Sequence, residues 1–279
     1  MKKYFIPLAL ILLLSRVSFG QKTEAIAAGK QSDFVLGKTD SIESRVLGEK
    51  RALNIYLPDG YNPDSAATYP VIYLLDGSRD EDFIHVAGII QFLTMIDTMP
   101  KVILVGIANV DRRRDYTYPT TIAEDKRDFP TTGGSALFMQ YIEKEVEPYI
   151  NKYYNTNGER TIIGQSLGGL VATEILLKHP QLFDNYVIVS PSLWWDNESL
   201  LKAAPGYLKN NPDADKKIFI VVGTEGEVME GDAEQLYHHI SDTKRSGYMV
   251  RFTKMPEEDH LTILHNCIYK TLIKLYGER

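Results

Sequence analysis

A serine between two glycines is the feature of this sequence with the clearest chemical potential. Residues 161–169 read TIIGQSLGG, in which Gly164 and Gly168 stand two residues before and after Ser166. An apolar run precedes the serine and an amphipathic pattern follows it, which predicts a sharp turn between a strand and a helix. The hydroxyl would be exposed at a helix N-terminus, whose free amides favour developing negative charge. Ser166 could therefore attack a carbonyl carbon.

A serine nucleophile needs a general base, normally a histidine oriented by a carboxylate. Among the histidines that follow Ser166, only His260 comes directly after a predicted strand, in the turn 255–260. This position predicts that His260 reaches the same edge of the sheet as the serine. The other histidines lie in predicted helices or at their ends: His179, His238, His239 and His265.

Two carboxylates are candidates for the acid that orients His260. The predicted strand 218–223 runs into Thr-Glu-Gly-Glu, and we prefer Glu225 as the acid with Glu227 as the alternative. Sequence spacing alone does not decide which side chain turns toward His260. Asp232, further along, is interpreted as the N-cap of the next helix.

A tetrahedral oxyanion needs two preorganised amide donors. The amide of Leu167, directly after the nucleophile, is one candidate. The second should come from the turn after the strand 71–75, where Gly77 allows close backbone approach and the Ser78 amide is the expected donor.

Three consecutive arginines stand in the loop 109–119, which follows another strand. Guanidinium groups bind carboxylates and similar anions bidentately, so Arg112 and Arg114 are candidates for holding an anionic substrate such as a catecholate. The alternative is a solvated loop pinned by its own Asp111 and Asp115. His85, on the first helix, either faces the pocket or is packed.

The elements that position these residues alternate between strand and helix. Residues 42–47 and 51–57 read as an antiparallel hairpin. Later apolar runs read as strands: 71–75, 102–107, 160–163, 186–190, 218–223 and 249–254. Helical patterns stand between consecutive runs, except between 186–190 and 218–223. The alternation predicts an α/β fold with a doubly wound, mostly parallel sheet and an antiparallel N-terminal hairpin. Ligands of such sheets bind at the carboxyl ends of the strands.

The N-terminus predicts export. Residues 1–20 combine two lysines, an apolar run and small residues before Gly20, which is typical of a signal peptide cleaved near Gly20; a retained anchor is the alternative. Cleavage removes Lys2, Lys3 and Arg16 and changes the formal net charge from −6 to −9. We expect a periplasmic or secreted protein that binds neither nucleic acid nor, after cleavage, a membrane. Residues 21–40 form a polar lead, and 41–279 a single domain.

No cofactor is expected. The sequence has a single cysteine, Cys267, and lacks H-E-x-x-H, paired cysteines, G-x-G-x-x-G and a P-loop, so the chemistry is predicted to use neither a metal nor an organic cofactor.

With these residues placed, the sequence resembles the putative-esterase branch of the α/β-hydrolases. This branch contains siderophore esterases such as the enterochelin esterases, esterase D, feruloyl esterase domains and mycolyltransferases. The resemblance runs from about Ser41 to the C-terminus and implies an α/β-hydrolase fold. Four stretches carry it: 47–51 with 55–58, 73–77 (YLLDG), 164–169 (GQSLGG) and 190–195 (SPSLWW).

The resemblance implies a serine esterase that acts through an acyl-enzyme, with a siderophore-type ester as substrate. It places Trp194 and Trp195 near the substrate pocket, where their rings could hold an aromatic acyl group; core packing is the alternative. It also leaves open a Ser/His dyad without the acid. Feruloyl or acetyl esters of glycans, acyl transfer to an alcohol and a non-catalytic binding protein are the other functions considered, and the oligomeric state is not predicted.

Overall fold

A computed structural model of the protein describes residues 29–277. The predicted signal peptide and residues 21–28 of the predicted lead lie outside the described residues. Residues 29–34 carry no helix or strand and belong to a unit separate from the one that contains residues 35–277. The first strand begins at Lys38, inside the predicted lead.

Eight strands of the described chain form one mixed sheet. They are β1 (Lys38–Ser44), β2 (Glu49–Tyr56), β3 (Tyr69–Leu74), β4 (Ile103–Ile107), β5 (Thr156–Gln165), β6 (Asn185–Val189), β7 (Lys216–Val222) and β8 (Tyr248–Lys254). Their spatial order is β1-β2-β4-β3-β5-β6-β7-β8. Strand β2 runs antiparallel to β1 and β4, and all other neighbours are parallel. The predicted mostly parallel sheet with an antiparallel N-terminal hairpin is confirmed.

The described residues contain nine α-helices, eight between these strands and one after β8. They are α1 (Phe83–Met95), α2 (Arg112–Asp115), α3 (Ala123–Asp128), α4 (Ser135–Tyr141), α5 (Glu147–Tyr153), α6 (Leu167–Lys178), α7 (Trp195–Asn210), α8 (Glu227–Ser241) and α9 (Ile263–Tyr276). A π-helical turn, Ile142–Val146, joins α4 to α5. No helix within residues 29–277 combines the length and hydrophobicity needed to cross a membrane.

Strands β3, β4, β6 and β7 are buried on both faces, which explains their nearly continuous apolar sequences. Successive side chains of a strand point to opposite faces. Val71 and Tyr73 of β3 therefore pack in one hydrophobic core with α4 to α8, whereas Ile72 and Leu74 pack in the other with α1 and α9.

The start of α8 corrects one prediction. The helix begins at Glu227, so Asp232 lies inside it and the N-cap assignment was wrong. Nothing in the segment 227–231 except Gly231 opposes a helix, and the turn before it is made by Gly226 with φ of 88°. The Glu230 carboxylate accepts hydrogen bonds from the amides of Glu225 and Gly226 at 3.1 and 3.2 Å, which stabilises this N-terminus.

Candidate active site

Strained backbone marks the carboxyl ends of three adjacent strands. Asp76, Ser166 and Ser190 follow β3, β5 and β6, and each has a positive φ, of 53°, 59° and 43°. Non-glycine residues in this region cost free energy and concentrate at functional sites. The strain therefore coincides with the edge where the sequence predicted a ligand site.

Ser166 occupies the sharp turn between β5 and α6. Its amide donates to the Val189 carbonyl at 3.0 Å, and its own carbonyl accepts from the Ser192 amide at 3.0 Å. A Cβ at Gly164 would lie 2.3 Å from the Gly168 carbonyl oxygen, so the turn requires glycine there. Ser166 Oγ lies 3.3 Å from Ser192 Oγ, its hydrogen-bond partner among the described residues.

His260 and Glu225 form a close pair at the same edge. His260 Nδ1 lies 2.5 Å from Glu225 Oε2. The imidazole is 41 % exposed, while the Glu225 side chain is only 2 % exposed. Because Glu225 holds Nδ1, the opposite ring nitrogen is left for a proton transfer.

The Glu225 carboxylate is stabilised in its ionised form. Burial alone raises its pKa, but hydrogen bonds from His260, from the Ser190 hydroxyl and from the Gly223 amide outweigh burial and hold the pKa below its ordinary value. The Gly223 amide lies 3.0 Å from Glu225 Oε1, and the Ser190 hydroxyl donates to the same oxygen. Ser190 was not predicted as part of the site.

Ser166, His260 and Glu225 line one pocket of 380 Å³. The other lining residues are Ser192, Trp194, Thr224, Met229, Asp259 and Leu261. The structure thus brings the predicted nucleophile, base and preferred acid together. The alternative acid Glu227 is the first residue of α8 and is not among these lining residues.

Gln165 also has a role that the sequence did not indicate. Its side-chain amide donates to the His260 carbonyl at 2.5 Å. The residue before the nucleophile therefore anchors the backbone of the base. This contact joins residues 95 positions apart, and no local pattern could reveal it.

The predicted oxyanion donors lie at two turns. Leu167 is the first residue of α6, where helical amides have no intrahelical partner. The Ser78 amide donates to Glu81 Oε2 at 3.3 Å. A substrate oxygen would have to replace that carboxylate before it could use the Ser78 amide.

The structure places Arg112 in an internal ion pair. Its Nε and Nη2 donate to the two carboxylate oxygens of Asp76 at 2.6 and 3.0 Å, and Nη2 also lies 3.3 Å from the Gln165 carbonyl. Arg112 therefore connects the turn before Ser78 with the turn at Ser166. Its predicted role as a substrate ligand is replaced by a contact that supports both turns.

Arg114 likewise forms ion pairs with acidic side chains of the protein. It contacts Glu49 Oε1 at 2.6 Å and Asp115 Oδ1 at 2.7 Å, and Asp115 also pairs with the buried Arg51. This network fixes β2 to α2. The structural alternative, in which the loop is pinned by internal carboxylates, describes Arg112 and Arg114 better than substrate binding does.

Trp194 and Trp195 lie in different environments. Trp194 is partly buried and lines the pocket. Trp195 is fully buried, and its Nε1 donates to the Tyr118 carbonyl at 2.9 Å. The predicted substrate contact therefore fits Trp194 only, because Trp195 is a core residue.

The remaining histidines are not among the lining residues of the pocket. His85 pairs with Asp82 at 3.1 Å and lies against His265 of α9, with 3.3 Å between their Nδ1 atoms. The others lie in α8 or at the end of α6: His179, His238 and His239.

Comparison with known proteins identifies similar sequences. The model of the family described as putative esterase matches residues 44–261. The ferri-bacillibactin esterase BesA of Bacillus subtilis is 28 % identical over 273 residues, which cover 90 % of this chain and 94 % of the relative.

Solved structures of similar fold include two with clear sequence similarity to this chain. An IroE-like serine hydrolase from Shewanella oneidensis has a TM-score of 0.79 and 31 % identity, over 86 % of this chain and 80 % of that one. The BES protein from Bacillus cereus has a TM-score of 0.78 and 27 % identity, over 89 % and 99 % of the two chains. The mixed sheet with antiparallel N-terminal strands is that of the α/β-hydrolase fold.

Proposed function

Because this chain belongs to the putative esterase family and is an esterase, we propose that it hydrolyses carboxylic esters through an acyl-enzyme on Ser166. The observation that carries the proposal is the placement of Ser166 and the Glu225–His260 pair around one pocket. A serine on a strained turn beside a carboxylate-bound imidazole is the arrangement that acyl transfer requires.

In the proposed mechanism, the Ser166 hydroxyl exchanges its contact with Ser192 for one with the free nitrogen of His260. Catalytic hydrogen bonds often shorten only when substrate is bound. Ser166 Oγ attacks the ester carbonyl while His260 takes its proton. The amide of Leu167 stabilises the oxyanion together with the amide of Ser78, from which the oxyanion displaces the Glu81 carboxylate. His260 then protonates the leaving alcohol as the ester bond breaks.

A water molecule then hydrolyses the acyl-enzyme. His260 removes a proton from a water molecule, whose oxygen attacks the acyl carbon, and the proton returns to Ser166 as the acid is released. Glu225 stays ionised throughout, because its hydrogen bonds favour the carboxylate. It orients His260 and does not carry the proton.

A siderophore-type ester is the substrate that the comparisons favour. The relative that covers nearly the whole chain is named for a ferric siderophore, ferri-bacillibactin, and a relative from Aspergillus fumigatus is named a siderophore triacetylfusarinine C esterase. The partly exposed Trp194 beside Ser166 provides an aromatic surface that such a ligand could contact.

Substrate profiling tests the proposal. The wild-type protein and Ser166→Ala would be assayed with p-nitrophenyl acetate, a feruloyl sugar ester and a tri-catecholate siderophore with and without iron. We expect hydrolysis only by the wild type, with the highest kcat/KM for a siderophore. Equal hydrolysis by Ser166→Ala would exclude the serine mechanism, and a preference for the feruloyl ester would assign the enzyme to glycan esters.

Export remains part of the proposal. The composition of residues 1–20 supports a cleaved signal peptide and a periplasmic or secreted enzyme. Fractionation of cells that express the full chain, followed by N-terminal sequencing of the recovered protein, tests it. A protein that retains Met1 in the cytoplasm would contradict this location.

A further inference from the structure

We propose that His85 and His265 form a surface site for a zinc ion between α1 and α9. The two histidines belong to different helices, and neither is among the residues that line the pocket of Ser166. Neutral imidazole is a preferred ligand of zinc and related divalent transition metals. No step of the proposed ester hydrolysis passes through this ion, so the site and the esterase function stand independently.

The two Nδ1 atoms have the separation that one shared ion requires. They lie 3.3 Å apart. Zinc–nitrogen bonds are about 2.0–2.1 Å long, so an ion bound to both atoms would subtend an angle of about 104–111°, a range that includes the tetrahedral value. Rings whose Nδ1 lone pairs point at one such ion have centroids about 5 Å apart. The ring centroids of His85 and His265 are 5.3 Å apart.

Asp82 prepares His85 to act as a ligand. Its carboxylate accepts a hydrogen bond from His85 Nε2, with 3.1 Å between the two atoms. The proton of the neutral imidazole is thereby held on Nε2, which leaves the lone pair of Nδ1 available on the side of His265. A carboxylate that holds the second nitrogen of a histidine in this way is typical of metal-binding histidines, and it also makes the ligand more basic.

The packing of the two helices holds the ligands in position. Helices α1 and α9 bury apolar side chains in the same hydrophobic core. Further along the same helices, Phe92 and Tyr269 contact each other with ring centroids 6.4 Å apart. Phe92 is seven residues after His85 and Tyr269 is four after His265, spacings that return to the same face of a helix. The faces that carry the histidines are therefore already in contact.

Water completes the coordination of the ion. Within the described range 29–277, no group of three or more His, Cys, Asp or Glu side chains could hold a metal ion. His265 is exposed and the His85 side chain is 31 % exposed, so water reaches the site. Because the protein supplies two ligands where a structural zinc site supplies four, we expect a weaker Kd, of about 1–100 µM.

The ion connects two segments that carry parts of the catalytic site. His85 is seven residues after Ser78, whose amide is an expected oxyanion donor, and His265 is five residues after the base His260. Zinc binding should therefore stabilise the folded protein by joining the helices that follow these two turns.

Zinc titration of the untagged protein, freed of metal by a chelator, tests the site. Isothermal titration calorimetry should give one ion per chain with a Kd in the expected range. His85→Ala and His265→Ala each remove one ligand and should raise Kd by about 100-fold or more. His238→Ala removes an exposed histidine of α8 and should leave Kd unchanged. Zinc at ten times Kd should raise the Tm of the wild type by about 3–6 °C, but not that of His85→Ala.

The contribution of Asp82 is tested separately. Asp82→Asn keeps the shape of the side chain but removes its charge, and it should weaken zinc binding by about 10-fold. In proton–nitrogen correlation spectra of the imidazole rings, zinc should shift the Nδ1 signals of both His85 and His265. Shifts of the Nε2 signals with unchanged Nδ1 signals would contradict the proposed coordination.

Three results would overturn the site. One is an unchanged zinc affinity in either His85→Ala or His265→Ala. The second is the absence of binding up to about 1 mM zinc, which would leave a hydrogen bond between the two rings as their contact. The third is zinc binding that is lost in His260→Ala and retained in the two other variants, because it would place the ion at the catalytic pair.

Discussion

The Glu225 carboxylate holds His260 by its Nδ1 atom at 2.5 Å, although 35 residues separate them in the sequence. The acid is buried and receives further hydrogen bonds from Ser190 and Gly223, whereas the imidazole is partly exposed in the pocket. This relationship fixes one ring nitrogen of His260. A Ser-His-Glu triad requires such a pair, whereas a Ser/His dyad does not.

Replacing the acid tests that distinction. Glu225→Gln keeps the shape of the side chain but removes the charge that favours the required tautomer, so kcat should fall by about 10³- to 10⁴-fold. Glu227→Gln, two residues away on α8, serves as the control and should retain nearly full activity. Steady-state kinetics with p-nitrophenyl acetate measure both. Equal, mild losses in the two variants would indicate a dyad.

Arg112 is predicted to support structure and not to bind substrate. Arg112→Ala would leave the buried Asp76 carboxylate without its bidentate partner, and we expect a loss of about 3 kcal/mol in the free energy of unfolding. Urea denaturation of the variant and the wild type measures this loss. A variant with unchanged stability and a raised KM would show that Arg112 binds substrate after all.

The alternation of strands and helices and the positions of Ser166, Glu225 and His260 could be predicted because their signals are local. An apolar run, a glycine pair and a serine identify the turn at Ser166, and the turn that follows each later strand supplies Glu225 and His260. Such patterns need only a few consecutive residues and the rule that parallel strands end at one edge.

The contacts that complete the site could not be predicted, because each joins distant segments. The bonds from Arg112 to Asp76 and from Gln165 to His260 depend on how strands and loops meet in space. Helix α7 was missed for a different reason. Pro205 lies inside it, and a proline within a segment argues against a helix there.

The adjacent tryptophans should respond differently to truncation. Trp195 is fully buried, so Trp195→Ala should lower the free energy of unfolding by about 3–5 kcal/mol. Trp194 lines the pocket, so Trp194→Ala should cost less stability but raise KM for aromatic esters. Denaturation curves and KM values for both variants test whether Trp195 stabilises the core and Trp194 contacts the substrate. A larger stability loss in Trp194→Ala would contradict it.

Asp232 should make the folded protein less stable as the pH rises. Its side chain is buried inside α8, and Oδ2 has no hydrogen-bond partner among the described residues. Burial, the largest cause, and the nearby Glu198 together raise the pKa of Asp232 to about 6, while Lys202 opposes the rise. Below the ordinary value of 3.8 the acid is protonated in both the folded and the unfolded states.

Between pH 4 and pH 6 the unfolded chain loses this proton before the folded protein does, so the contribution of Asp232 to the free energy of unfolding should fall as pH rises through this window. Asp232→Asn cannot ionise. Its free energy of unfolding relative to the wild type should therefore increase from pH 4 to pH 7, by about 2 kcal/mol, in urea denaturation at each pH. Glu234→Gln is the control, because Glu234 lies on the same helix, is only half-buried and pairs with Lys254. A difference between Asp232→Asn and the wild type that stays constant over this range would show that Asp232 ionises equally in both states.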